Sequence, residues 1–413
     1  MTTTAAQPTA TAAETHTQAL TRAMSSAVSR VHLPGSPEYA ELTFTHNTLV
    51  QPSPALVVEA TSADEVARAV RVARAHGARV GVQSTGHGTI DEAAGDVLVS
   101  TRALDELVVN PCTRTARIGA GVRWQAVLDA GAPYGLAAIC GSSASVTAVE
   151  LELVEQREIY GGGLWFDEVD VPVVLRTWAV WSELLPDEGT TSAAIMRLPE
   201  IEGVPPMLAG RTTLHVRFAW TGDPQVGEEM IRAVRAMAAP LVDTVGILPY
   251  PRIGEVHMDG EDAMPMHVEN VLLDRVGAAG AELLLGLVGP GTPTTQTLVE
   301  IRRIGGAALR GPSSFAHRDA EWSVFMGGIA IPEIADGVVA DARRILAGLA
   351  PITREGALPN VAMGTDGRVG RSTRPTSPGG CASCPSATTR QACCSAARRR
   401  ATSADPCRPG PGS

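Results

Sequence analysis

The chain contains no lysine: all 34 of its basic residues are arginine. That absence excludes Walker-type phosphate loops, pyridoxal Schiff bases and every nucleophile that needs a lysine amine. Nowhere does the sequence run for the ~18 uninterrupted apolar residues that would span a bilayer, so no membrane partner is expected. Residues 1–30 are a Thr/Ala-rich stretch with no basic start and no apolar block. They do not read as a secretory signal, and a cytoplasmic location is the expectation. No internal repeat is present, which excludes solenoids and propellers. A net charge of −10 with no basic face in the main body argues against nucleic acid as a partner. What remains is a chain of 413 residues with 44% hydrophobic and 19% charged residues, a soluble globular composition. At ~150 residues per domain it is long enough for two or three domains.

Charge and cysteine are unevenly distributed. Residues 364–413 hold eight arginines against Asp366 and Asp405, and they contain no Leu, Ile, Met, Phe, Tyr or Trp. Such a segment cannot bury enough apolar area to offset its ordering entropy, so a disordered tail is expected. Five of the seven cysteines lie there, and Cys381 and Cys384 have the spacing of half a zinc site. No second pair and no histidine follow, so incidental thiols are the preferred reading. Only Cys112 and Cys140 remain in the body, too few for a disulfide framework and consistent with a reducing compartment.

In the body, 55–60 (ALVVEA) has the apolar, β-branched content of a buried strand. Ser62 and Glu65 then form a capping-box pattern at the start of a helix carrying Val66, Val70 and Ala73 at helical spacing. His76 closes its last turn and Gly77 supplies a left-handed cap. With 79–83 as the next strand, this is a βαβ unit with a parallel pair. The turn Ser84, Thr85, Gly86, His87, Gly88 leaves the carboxyl end of that strand. Open α/β sheets place ligands at that end, and small residues let backbone amides converge on an anion. Strands at 97–100, 107–110 and 115–119 and a helix near 124–130 follow. Beyond 151 the pattern changes to longer strands at 158–166, 214–220, 297–304 and 321–331, with helices near 173–185 and 228–238. This half reads as an antiparallel sheet with helices on one face.

Four phrases, STGHG at 84–88, RTARIGAGVRW at 114–124, GLAAICGSSASV at 135–146 and YGGGLWF at 160–166, occur in one order over about 51–360. Together they resemble the FAD-linked oxidoreductases of the berberine bridge enzyme type, in the vanillyl-alcohol oxidase superfamily. The resemblance implies an α+β protein: a PCMH-type FAD-binding domain (βαβ start plus mixed sheet) and a substrate domain with an antiparallel sheet covered by helices. The corresponding divisions are an N-terminal extension at 1–50, a partial FAD domain at 51–150, a substrate domain at 151–363 and the tail at 364–413. It also implies that Ser84, Thr85, Gly86, His87 and Gly88 wrap the FAD diphosphate with Gly141, Ser142 and Ser143. His87 stands where relatives attach covalently to the flavin. Ser143 stands where some relatives carry a second attachment cysteine, so any covalent bond is single, through His87.

Two departures from that pattern bear on function. Relatives continue past the GSSASV-like phrase through a glycine-rich turn and a further strand, whereas here Val146 runs directly into Thr147. Several tens of residues are skipped, which should expose sheet edges and weaken the cofactor site. After Leu358 the closing segment that bears tyrosine and asparagine in relatives is replaced by the Arg/Cys/Ser/Pro tail, whose composition resembles a GC-rich coding strand read in another frame. No general base can therefore be named. The leading expectation is an FAD-dependent oxidase passing hydride from a small organic substrate to the flavin, with molecular oxygen a candidate acceptor. The alternative is a catalytically inactive remnant of that family.

Other candidates have plainer readings. Gly161, Gly162 and Gly163 are expected to be a structural strand-edge feature. His257, Asp259, Asp262 and His267 form an acid/histidine cluster that could bind a metal or supply a general base, but their spacing fits no ligand pattern and a polar surface loop is the preferred reading. His215 alternates with Val216 and Phe218, and faces either solvent or a substrate cavity. Trp165, Trp178, Trp181, Trp220 and Trp322 are expected in the core.

Overall fold

The first helix, α1 (Ala12–Ala27), is tied to the rest of the chain by a carboxylate at its end, by Arg68 Nε donating to Ala27 O (2.7 Å) and by apolar packing. It precedes β1 (Val31–His32), α2 (Pro37–Leu42), β2 (Leu56–Glu59) and α3 (Ala63–Ala75). Ser62 caps α3 as its pattern requires, its Oγ accepting from the Glu65 amide at 3.2 Å. The Glu65 carboxylate reaches back past the cap. It accepts from the Thr61 amide (2.9 Å), the Thr61 hydroxyl (2.7 Å) and the Ser29 amide just beyond α1 (2.8 Å). Around this joint, Leu20, Met24 and Val28 pack with Ala69 and Ala73 of α3 and with Leu56 and Val58. Gly77 has the left-handed φ of +67° that ends α3.

The structure, a computed structural model, describes residues 12–89, 95–139, 147–200, 204–258, 260, 262–306, 317 and 319–358. The expected parallel unit is there with one correction. Strands β2 and β3 (Val80–Gln83) do not pair with each other; β4 (Val97–Ser100) lies between them and is parallel to both. All four residues of β4 are buried, as its central position demands. A second sheet orders as β5 (Leu107–Asn110), β6 (Thr115–Gly119) and β8 (Ala148–Glu152). It lies beside α4 (Trp124–Gly131) and the two-strand pair β7 (Leu136–Ala137) and β9 (Val154–Glu155).

The remaining strands build one antiparallel sheet of nine. They are β10 (Glu158–Asp167), β11 (Gly189–Arg197), β12 (Thr212–Trp220), β13 (Val242–Asp243), β14 (Gly246–Pro249), β15 (Met266–Leu273), β16 (Leu298–Arg303), β17 (Trp322–Ile329) and β18 (Thr353–Arg354). The spatial order is β13-β10-β12-β11-β16-β17-β15-β18, with β14 also on β10. Alternate residues, including Leu164, Phe166, Val216, Phe218, Ile195 and Ile301, face helices α5 (Val171–Glu183), α6 (Pro224–Arg235), α7 (Gly277–Val288) and α8 (Ala335–Leu349) in a single core. The four expected strands and two expected helices of this half are present, and the helices cover one face. Trp178 and Trp322 are fully buried in that core, and the Trp178 indole donates to Thr191 Oγ1 at 2.9 Å.

Asn47 joins the parallel layer to the large sheet. Its Nδ2 donates to Met266 O (2.7 Å) and its Oδ1 accepts from the Met266 amide (3.1 Å), at the start of β15. Among the described residues no helix is long and apolar enough to cross a membrane.

The Glu65 joint makes stability depend on pH. Burial alone would raise its pKa, but the bonds from Thr61 and Ser29 outweigh burial and hold the carboxyl at about 2, below its ordinary 4.5. A depressed carboxylate stabilises the fold above its unfolded value, and this stability is lost as pH falls through the folded value. Glu65→Gln is expected to cost on the order of 2–3 kcal/mol at neutral pH. Urea midpoints of the two proteins should converge between pH 4.5 and about 2, and a constant gap across that window would rule out the mechanism.

Candidate cofactor loop and sheet face

Gln83 ends β3 by donating to Leu42 O (3.0 Å) and Phe44 O (2.9 Å), which brings the chain segment 42–46 against the turn that follows. In that turn Gly86 has φ +81°, and a Cβ added to it would lie 2.3 Å from Phe44 O. Only glycine fits, because the obstacle is backbone and cannot rotate away. The His46 amide donates to Gly86 O at 3.3 Å, and Ser84 Oγ donates to Ala120 O at 2.8 Å. That second bond brings in the turn after β6, where Cβ atoms on Gly119 and Gly121 would meet backbone oxygens at 2.1 and 2.0 Å. Two bare-backbone turns thus meet at the carboxyl end of the parallel sheet.

His87 is exposed at the tip of the first turn, its ring centroid 4.0 Å from that of His46. Partial burial, then His46 and Arg123, push its imidazole below the ordinary value, so it is neutral at neutral pH. The structure therefore places Ser84, Thr85, Gly86, His87 and Gly88 together in one turn. Gly141, Ser142 and Ser143 lie outside the described residues, as do Cys140 and the tail. Cys112 is disulfide-bonded.

The other candidate surface is the face of the large sheet opposite its helices. Backbone register lays two neighbouring rows of residues across six strands. One row is Trp165, His215, Ala194, Glu300, Phe325 and Asn270; the next is Gly163, Arg217, Ser192, Arg302, Ser323 and Leu272. His215 stacks on Trp165 at 3.9 Å and 12°. Arg217 Nε donates to His215 Nδ1 (3.2 Å), and Arg217 Nη1 donates to Glu300 Oε1 (2.8 Å). Arg302 Nη2 donates to both Glu300 oxygens at 3.1 and 3.0 Å. His215, Arg217 and Glu300 are 0, 3 and 4% exposed, so these charges are paired inside the protein.

This arrangement resolves several of the open sequence readings. His215 faces the interior, where burial, then Arg217 and His257, push it down to about 2. It is neutral, with Nδ1 engaged and its proton on a buried Nε2 that has no hydrogen-bond partner. Glu300 is opposed by burial, but Arg302, Arg217, His257 and Ser192 together hold its pKa below the ordinary value. The glycine triplet is structural, but it lies inside the sheet between β12 on one side and β13 and β14 on the other. A Cβ on Gly163 would sit 2.2 Å from His215 Nε2, so that glycine makes room for the imidazole. Trp165 is buried, as expected of the tryptophans, but on this polar face. His257 directly follows the buried Val256 at the end of the turn Tyr250–Val256 and is itself half-buried. Asp259 lies outside the described residues, and His267 sits on β15 with its Nε2 3.5 Å from Glu269. Among the described residues no group of three or more His, Cys, Asp or Glu could hold a metal ion.

Residues 54–149 match the family described as an FAD binding domain. Solved structures similar to the chain include 6-hydroxy-D-nicotine oxidase from Arthrobacter nicotinovorans, with a TM-score of 0.70 and 18% identity over 84% of this chain and 92% of that one. Berberine bridge enzyme from Eschscholzia californica gives 0.67 and 10% over 83% and 87%. Xylooligosaccharide oxidase from Myceliophthora thermophila, solved with xylobiose, gives 0.66 and 13% over 83% and 90%. No curated protein matches at the level of sequence. The chain thus carries an FAD-binding domain, with FAD its cofactor, in a protein with the berberine bridge enzyme fold.

The turn 84–88 suits an anionic dinucleotide: its backbone is bare where a side chain would intrude, and His46 and Arg123 flank it. Gly86→Ala should cost ~1–3 kcal/mol in urea unfolding and weaken FAD binding at least about tenfold, because the strained backbone must shift. Gly286→Ala is the control, at a helical position with nothing within 4 Å, and should leave stability unchanged or raised by up to ~1 kcal/mol. Equal behaviour of the two variants would remove the turn from the site.

Proposed function

We propose that the chain is an FAD-dependent oxidoreductase. In this reading 51–150 holds the cofactor, 151–363 presents an organic substrate on the polar sheet face, and His87 is the covalent attachment point. The observation that carries it is the bare-backbone turn at the end of β3, with a neutral imidazole at its tip. A neutral ring nitrogen has the free electron pair that attack on the flavin's activated methyl carbon requires. FAD, when bound, supplies the acceptor for the substrate's hydride.

The residues have separate tasks. Ser84 fixes the turn to Ala120, and Gly86 and Gly88 keep it free of side chains. On the sheet, Trp165 and His215 form a rigid stacked wall beside the charged pair of Arg217 and Glu300. The proposed substrate is a small organic molecule, and molecular oxygen the acceptor that returns FAD to its oxidised state. The names of the similar solved structures, a 6-hydroxy-D-nicotine oxidase and a xylooligosaccharide oxidase among them, support the reaction class and leave the substrate broad.

Visible spectroscopy tests this reading. The chain refolded with FAD should be yellow, and the colour should stay with the precipitate in acid, whereas His87→Ala should release its flavin. Anaerobic addition of D-glucose or xylobiose should bleach the bound flavin, and air should restore it. A chain that binds no flavin would instead be the inactive remnant.

A further inference from the structure

Helix α5 is apolar on two sides. Towards the sheet it buries Val174, Leu175, Trp178 and Ala179 in the core. On the outer side Val173 and Val180 are 43 and 48% exposed. Val169, on the turn Glu168–Asp170 that leads into the helix, is 83% exposed, and Leu184, just beyond its end, 77%. Counted at 3.6 residues per turn, the four positions fall within about 60° of arc and form one stripe along the outer face. Single exposed apolar side chains are ordinary, whereas a continuous stripe marks a surface that another body covers. The two charged residues of α5 do not break the stripe, because each is held by a neighbour. Arg176 donates to both oxygens of Glu282 on α7, and Glu183 accepts from Arg275 at 3.3 and 3.2 Å.

We infer that this stripe is the surface on which a second copy of the chain docks, with the two α5 helices antiparallel across a two-fold axis. The spacing carries the inference. Val169 and Leu184 lie equally far from the midpoint between Arg176 and Thr177, and so do Val173 and Val180. A two-fold axis through that midpoint sets Val169 against the partner's Leu184 and Val173 against the partner's Val180, over about 22 Å of helix. An isologous contact requires a surface to match itself in this way. A stripe built for an unrelated protein has no reason to be symmetric about its own centre.

Both flanks of the stripe suit the same pairing. Helix α5 lies between α6 and α7, and an axis perpendicular to α5 in the plane of contact brings the α7 side of one copy to the α7 side of the other. The exposed pair of Arg176 and Glu282 then meets its own copy beside the axis, two cations with two anions, so this flank is complementary to itself in charge. On the α6 side Thr177 Oγ1 donates to Met237 Sδ at 3.2 Å, and the partly exposed Met237 widens the apolar surface without adding charge. The longest stretch outside the described residues offers no cover of its own, since 364–413 holds no Leu, Ile, Met, Phe, Tyr or Trp. Because the helices lie on one face of the large sheet, pairing through them leaves both polar faces, with Trp165 and His215, turned away from the contact.

Sedimentation velocity of the full chain tests this, in reductant so that cysteine-linked species do not count. A dimer in equilibrium with monomer is expected between about 1 and 100 μM. Val173→Arg and Val180→Glu each place an unpaired charge in the contact and should raise the dissociation constant at least about tenfold. Their urea midpoints should match wild type, because both side chains are exposed in the monomer. The double variant Val173→Arg/Val180→Glu sets opposite charges against each other twice across the axis, and should return the constant to within about fivefold of wild type. Ile247→Glu, at an exposed position on β14, is the control and should leave association unchanged. A chain that stays monomeric at about 100 μM overturns the interface. So does a dimer that either single charge leaves intact. Single variants that dissociate with no recovery in the double variant overturn the antiparallel pairing, because in a parallel pair each new charge meets its own kind.

Discussion

A carboxylate buried in the middle of a nine-stranded sheet needs its charge balanced, and the polar face of this protein is organised around that need. Taking an ion out of water costs several kcal/mol, and a single counter-ion with unsatisfied lone pairs does not recover it. Glu300 is met from both sides, by Arg217 on β12 and Arg302 on its own strand. Arg217 in turn must have its remaining N–H groups occupied, and its Nε turns to His215. The imidazole is then fixed in plane against Trp165 and needs space at its far nitrogen, which Gly163 provides. Each of these side chains has its conformation because of the one before it, and the sequence of dependence starts at Glu300.

The same logic of bare backbone against fixed polar groups appears at the other end of the molecule. There the tight contact is Gly86 against Phe44 O, and the segment it touches continues through His46 to Asn47. Asn47 binds the first residue of β15 with both ends of its amide. A strain applied at the turn 84–88 therefore has a short, hydrogen-bonded route to the edge of the substrate sheet. Gly86 and Met266 are 180 positions apart in sequence, yet both touch the one short segment from Phe44 to Asn47.

Local signals were legible in the sequence where a residue's own neighbours decide its structure. Ser62, Glu65 and Gly77 mark the ends of α3 because caps are read within a few residues. The turn 84–88 was readable for the same reason. The insertion of β4 between β2 and β3 was not, since its four residues carry no mark of which strands they pair with. Helix α7, GAAGAELLLGLV, is apolar on nearly every side and lacks the periodicity that separates helix from strand. The two rows on the sheet face join residues from β10 to β17 through register alone. Alternation put His215 and Arg217 on one side of a strand, but nothing local connects either with Glu300, more than eighty positions away.

The firm pairing of the buried groups on this face is itself a chemical argument. A proton acceptor must change charge during each turnover, so it must sit where both charge states are tolerable and where a proton can leave. His215 fails on the first count, because burial and Arg217 disfavour its cation. Glu300 fails because two arginines disfavour its protonated form. Groups so firmly held are suited to orienting a neighbour, since they do not respond when a substrate arrives.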